Sequence, residues 1–185
     1  MQNILEILNT HQQVIEGLKS AEEQIKKAVI QILKTLQNGG TIFFMGNGGS
    51  AADAQHLAAE FIGRFVKERK ALPAIALSTD SSILTSISND YDFSTIFSRQ
   101  LEALCKANDV VVGISTSGNS PNVLKGIETA KEKGAYTIGL TGNKGIVLQN
   151  TADLCIMAPS ETTARIQEAH ILIGHILCAL VEDAI

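Results

Sequence analysis

Apolar residues Ile4, Leu5, Leu8, Val14, Ile15, Leu18, Ile25, Val29, Ile32, Leu33 and Leu36 recur at roughly helical spacing, with an interruption near Gly17. The spacing predicts one long helix or two from about Asn3 to Leu36, closed by Asn38-Gly39-Gly40. The pattern then changes period. TIFFM at 41–45 reads as a buried strand, Ser50 to about Lys67 as a helix, and PAIAL at 73–77 as a second strand with Pro73 at its first position. Asp109 to Ile114 is a strand, Ser120 to Lys133 a helix closed by Gly134, AYTIGL at 135–140 a strand and DLCIM at 153–157 another. Thr162 to about Glu182 forms the last helix, with Thr162 or Thr163 as its cap.

Five short apolar strands joined by helical crossovers describe an α/β fold, a three-layer sandwich whose parallel sheet carries helices on both faces. Ligands in such sheets bind beyond the C-terminal ends of the strands. The leading helix is surplus to a minimal βαβ layer, so its apolar stripe and that of the last helix are available to pack against another copy of the chain. The whole 185 residues read as one domain, with residues 1–37 as an N-terminal helical segment.

Charge and cysteine usage narrow the function classes. Fifteen Lys plus Arg against 19 Asp plus Glu give a formal charge of -4 without long single-sign blocks, which argues against nucleic acid or a polyanionic membrane surface as partner. Cys105, Cys155 and Cys178 are odd in number, lie on apolar segments and form no CxxC pair, as expected of core fillers in a reducing compartment. The N-terminus lacks the basic region and apolar block of a signal peptide, and no run is expected to cross a bilayer; a cytoplasmic location is expected.

Two small-residue loops carry the candidate chemistry. MGNGGSAADAQHLAAE, Met45 to Glu60, and ISTSGNSPN, Ile114 to Asn122, each follow a strand and precede a helix, where backbone N–H groups and hydroxyls gather a phosphate. Gly48 and Gly49 permit close backbone approach, and Asn47, Ser50, Ser115, Thr116, Ser117 and Ser120 supply polar side chains. The first loop lacks the lysine of a P-loop, and Ala51 stands where a GxGxxG register needs glycine. A sugar phosphate is therefore favoured over a nucleotide cofactor.

His56 and Glu60 are four residues apart, hence one turn apart on one helix face. They can chelate a metal or set a carboxylate base beside an imidazole; the plainer alternative pairs Glu60 with Arg64 on the surface. Gln167 and His175, eight positions apart on the last helix, are separated by about 80° and can look into one cleft, whereas His170 need not. Asp90, in the Ser88-Asn89-Asp90 turn after the second βα unit, is a further candidate ligand.

In their order and spacing, GNGGSAADAQHLAAE, Ser88-Asn89-Asp90, GISTSGNSPNV and RIQEAH with His175 resemble the sugar isomerase (SIS) domain family over essentially the whole chain. Within it the chain is similar to the phosphoheptose isomerases, which interconvert sedoheptulose 7-phosphate and D-glycero-D-manno-heptose 7-phosphate. The resemblance implies that Glu60 moves a proton between C1 and C2 through an enediol, with His175 as the complementary acid or base. It implies Asn47, Gly48, Gly49, Ser50, Glu60, Arg64, Asn89, Asp90, Ser115, Thr116, Ser117, Ser120 and Gln167 as substrate ligands. It further implies zinc held by His56, Glu60, Gln167 and His175, a phosphorylated seven-carbon sugar as substrate, and a homotetramer with sites near its interfaces. Where some relatives carry an aspartate before the arginine of RIQEAH, this chain has Ala164. The family also holds a non-catalytic relative that binds the bacterial replication initiator and lacks the Glu60 and His175 pair, so the alternatives are a phosphosugar-binding regulator of replication initiation or an isomerase for another phosphosugar, since the loops recognise the phosphate better than the sugar's length.

Overall fold

The computed structural model describes residues 3–185. The leading segment is two helices, α1 (Ile4–Gly17) and α2 (Glu22–Gln37), joined by a 3-10 turn at Leu18–Ala21. Asn3 and Glu6 close a reciprocal capping box at the start of α1, satisfying two amides that a helix end otherwise leaves bare. Five strands follow: β1 (Ile42–Gly46), β2 (Ala74–Ala76), β3 (Val110–Ile114), β4 (Tyr136–Gly142) and β5 (Leu154–Ala158). Between them lie α3 (Gly49–Ile62), α4 (Ser81–Asp90), α5 (Ser98–Leu104), α6 (Pro121–Glu132) and α7 (Ile146–Thr151), and α8 (Thr163–Asp183) ends the chain.

The strands form one parallel sheet in the order β2-β1-β3-β4-β5. Alternate side chains of each strand enter different cores. Ile42, Phe44, Val110 and Val112 pack with α2, α3 and α8, while Phe43, Met45 and Val111 pack with α5 and α6. Burying each such large apolar side chain contributes about 1.5–3 kcal/mol, so β1 is pinned on both faces. Strand order reverses between β1 and β3, whose Gly46 and Ile114 are register partners. At that switch point the two neighbouring crossovers leave for opposite faces and open a crevice beyond the strand ends.

Three expectations need correction. The helix after the first loop stops at Ile62 rather than near Lys67, because Gly63 turns the chain and the amides of Phe65, Val66 and Lys67 donate to the Glu182 carboxylate instead of to helical carbonyls. Asn89 and Asp90 form the last turn of α4 rather than a loop. Finally, the 21-residue α8 is long and apolar enough by composition to cross a membrane, although no run was expected to be. The core helix of a soluble protein passes the same test, and α8 buries Ile166, Ala169, Ile173, Leu177 and Val181 with the sheet and α3.

Candidate active site

The loop after β1 (Asn47–Gly48) and the loop after β3 (Ser115–Ser120) stand side by side at the switch point. In the second, Ser115 Oγ and Ser120 Oγ lie 2.9 Å apart, and Ser117 Oγ accepts from Asn119 N at 3.2 Å. Among the described residues the N–H groups of Thr116, Ser117 and Ser120 meet no protein acceptor. Pro121 begins α6 with fixed φ and no N–H to satisfy. Unbonded amides and hydroxyls thus lie together in a loop that leads into the positive end of α6, a combination suited to a phosphate. Ser50, buried at the start of α3, donates its N–H to Asn47 O at 3.0 Å.

The two loops are joined by a residue to which the sequence assigned no role. Asn122, 1% exposed, exchanges two amide hydrogen bonds with Asn47, each 2.8 Å, and also accepts from Val123 N. Its only sequence signal was its place in the first turn of α6, where an amide has backbone groups to bond.

A second cluster forms where α3 crosses α8. Gly174 permits it: a Cβ there would lie 2.4 Å from Leu57 Cδ2, so any larger residue would push the helices apart. His56 and His175, the sequence neighbours of that contact, then meet Nε2 to Nε2 at 3.1 Å. His56 Nε2 also lies 3.2 Å from Glu60 Oε1. Glu60 is 26% exposed, so its carboxylate is partly shielded yet reachable. Phe65 closes one side, its ring 5.4 Å from that of His175. Gln167, two turns before His175, lies over the first loop; a Cβ on Gly49 would fall 2.3 Å from Gln167 Nε2.

Of the sequence candidates, His56, Glu60 and His175 are therefore brought together, and Gln167 is set against Gly49. Arg64 is not paired with Glu60. It lies past the helix end, donating to Val66 O at 3.1 Å and 3.7 Å from Glu68. Asn89 and Asp90 are exposed and bond each other at 2.8 Å. Ala164 is exposed at the start of α8. His170 is 0% exposed, and neither ring nitrogen makes a hydrogen bond of good geometry. Burial holds its pKa down at about 4, with the backbone of Thr141 opposing weakly, so it stays neutral.

Asp53, one turn before His56, was not singled out from the sequence. Burial raises its carboxyl to about 6, the charge of His56 acts in the opposite direction, and its Oδ2 has no partner. Among the described residues no group of three or more His, Cys, Asp or Glu side chains forms a ready metal site. The contacts run as a chain from Glu60 through His56 to His175. Separations of 3.1 and 3.2 Å nevertheless match the spacing of about 3.3 Å between donors that share a tetrahedral zinc at about 2.0–2.1 Å. The nitrogen and oxygen donors suit that ion chemically.

Residues 7–142 match the SIS domain family model, a stretch that includes both loops and Glu60. The chain is 51% identical over 181 residues to the phosphoheptose isomerase of Nitratiruptor sp., covering 98% of this chain and 95% of that one. It belongs to the phosphoheptose isomerase family. The solved structure of the phosphoheptose isomerase from Neisseria gonorrhoeae superposes with a TM-score of 0.92 at 41% identity, over 98% of this chain and 97% of that one. That from Francisella tularensis gives 0.94 at 36% identity, over 97% and 96%. Family membership makes the chain an isomerase.

Proposed function

We propose that this isomerase interconverts sedoheptulose 7-phosphate and D-glycero-D-manno-heptose 7-phosphate, with Glu60 and His175 as its proton-transfer groups. The observation that carries the assignment is the placement of a partly shielded Glu60 and a second-helix imidazole, His175, on either side of His56. The amides and hydroxyls of Thr116, Ser117, Ser115 and Ser120 anchor the phosphate, with Asn47 and Ser50 lining the crevice from the first loop. Glu60 removes a proton from C1 of the ketose; the electron pair becomes the C1–C2 double bond, and the C2 oxygen takes a proton from His175. His175 then recovers the proton of the C1 hydroxyl as the C1 carbonyl forms, and Glu60 returns its proton to C2. Nothing else is consumed or released.

The same donor set supports zinc, held by His56, Glu60 and His175 with Gln167 as a weaker amide ligand. Bound there, zinc would supply Lewis-acid polarisation of the sugar carbonyl. The exposed apolar side of α1, with Ile4, Leu5 and Leu8, supports assembly with further copies of the chain as a homotetramer. Free Cys105, Cys155 and Cys178, whose thiols burial pushes up to about 11, 12 and 12, support residence in the reducing cytoplasm.

Incubation of the protein with sedoheptulose 7-phosphate, followed by product analysis, tests the reading directly. Aldose 7-phosphate is expected. Tight binding without conversion, with zinc supplied, would contradict it in favour of a phosphosugar-binding regulator.

A further inference from the structure

The segment between α3 and β2 carries no regular structure, yet it is held by a buried ionic clamp. Glu182, in the last turn of α8, accepts from the backbone N–H groups of Phe65, Val66 and Lys67 at 3.0, 2.8 and 2.7 Å and from Arg69 Nε at 3.0 Å. The two side chains are only 2% and 9% exposed. Arg69 spends its remaining donors on backbone carbonyls, those of Phe61 at 2.9 Å, Lys70 at 3.0 Å, Gly63 at 3.4 Å and Glu60 at 2.8 Å.

A buried ion pair by itself is weak evidence of stabilisation, because desolvation consumes much of its attraction. What distinguishes this one is where its bonds end. Arg69 grips the carbonyl of Glu60 itself, and Glu182 fixes the amide of Phe65, whose ring flanks His175. Glu182 also shares a helix with His175, two turns away. The clamp thus fastens both halves of the acid–imidazole cluster to one point without touching either reacting side chain.

We propose that Glu182 and Arg69 are positioning residues for the isomerase reaction, setting the distance between the Glu60 carboxylate and the His175 imidazole through the 63–70 segment. The inference rests on the assignment of Glu60 and His175 to proton transfer. It separates the clamp from substrate affinity, since the phosphate loops follow β1 and β3 and make no contact with Glu182 or Arg69 through the bonds that hold the segment. Glu182→Gln keeps the shape but puts an NH2 group where a carboxylate oxygen accepts from backbone donors.

The test compares Glu182→Gln and the milder Arg69→Lys with the parent protein, at a temperature where circular dichroism shows all three folded. The proposal expects kcat to fall about 10- to 100-fold, the cost of a small misplacement of reacting groups, with KM for sedoheptulose 7-phosphate within about twofold. It also expects the imidazole NMR signals of His175 to shift in both variants, while amide signals of Ser115 to Ser120 stay in place. Unchanged kcat in the folded variants, or unmoved His175 signals, would overturn it; so would a loss of activity that only follows the unfolded fraction. Should Glu182→Gln fail to fold, Arg69→Lys carries the test alone. Normal turnover by Glu60→Gln would instead defeat the underlying assignment, whereas the His175 signals report on the clamp without any turnover.

Discussion

The serine loop and the carboxylate–imidazole cluster of the crevice are built in opposite ways. The serine loop is local: Ser115 through Ser120 are contiguous between the end of β3 and the start of α6, and Ser115 Oγ and Ser120 Oγ lie 2.9 Å apart. The carboxylate–imidazole cluster is assembled from α3 and α8, more than a hundred residues apart in sequence, with Gly174 at the helix contact, Phe65 beside His175 and the Glu182–Arg69 pair holding the segment next to them. Binding groups that need only backbone direction can be supplied by one loop. A base and an acid that must sit at a set separation need two rigid helices and a brace.

If that contrast holds, damage to the two ends will separate in kcat and KM. The largest effect belongs to Glu60→Gln, which keeps the side-chain shape but removes the base; kcat should fall about 10²- to 10⁴-fold with circular dichroism and phosphate affinity little changed. A comparable rise in KM would place Glu60 at the binding end instead. Ser120→Ala should do the reverse, raising KM about five- to tenfold through loss of one hydroxyl contact while kcat changes less. Steady-state kinetics on the two variants side by side measure the difference.

Asn122→Ala probes the joint between the loops. It leaves the Asn47 amide without its reciprocal partner and should lower stability by about 1–3 kcal/mol, read by urea unfolding, with a smaller rise in KM. An unchanged unfolding midpoint would show that the amide pair does not brace the crevice.

The smallest effect is on acid stability. Burial would raise the Glu182 carboxyl, but hydrogen bonds from the Lys67, Val66 and Phe65 amides and the charge of Arg69 outweigh it and hold the pKa at about 2, below the ordinary 4.5. A folded value below the unfolded one stabilises the protein fully above about pH 4.5, and that contribution is lost as pH falls towards 2. His170 acts earlier in the same direction: its folded value of about 4 against an ordinary 6.5 means that the unfolded chain takes up a proton first as pH drops below about 6.5. Acid titration followed by fluorescence or circular dichroism should therefore show Glu182→Gln losing less stability than the parent between about pH 4.5 and 2. Parallel curves would remove Glu182 from the account.

How far the sequence was legible follows the same division. The five strands, the pause near Gly17 and both loops could be read because each rests on residues adjacent in the chain, with β-branched or aromatic runs ending in glycine and serine. The pairing of His56 with Glu60 was also readable, being fixed by helix geometry. The overrun of α3 to Lys67 was not avoidable from local propensity, since Phe65, Val66 and Lys67 are drawn out of the helix by a carboxylate 115 or more positions away. Arg64 misled for the same reason: four residues from Glu60 on an imagined helix, it lies beyond the real one. Asn122 and Asp53 gave no signal stronger than a polar residue near a helix start, and their meaning comes only from what the fold puts opposite them.

The central claim is a proton relay at C1 and C2 carried by Glu60 and His175, and proton NMR of sedoheptulose 7-phosphate with the zinc-supplemented protein in deuterated water tests it most directly. The account predicts conversion to the aldose, with deuterium at C2 to the extent that Glu60 exchanges its proton with solvent before returning it, and conversion abolished or slowed by orders of magnitude in Glu60→Gln. Undiminished conversion or undiminished exchange by Glu60→Gln would contradict it.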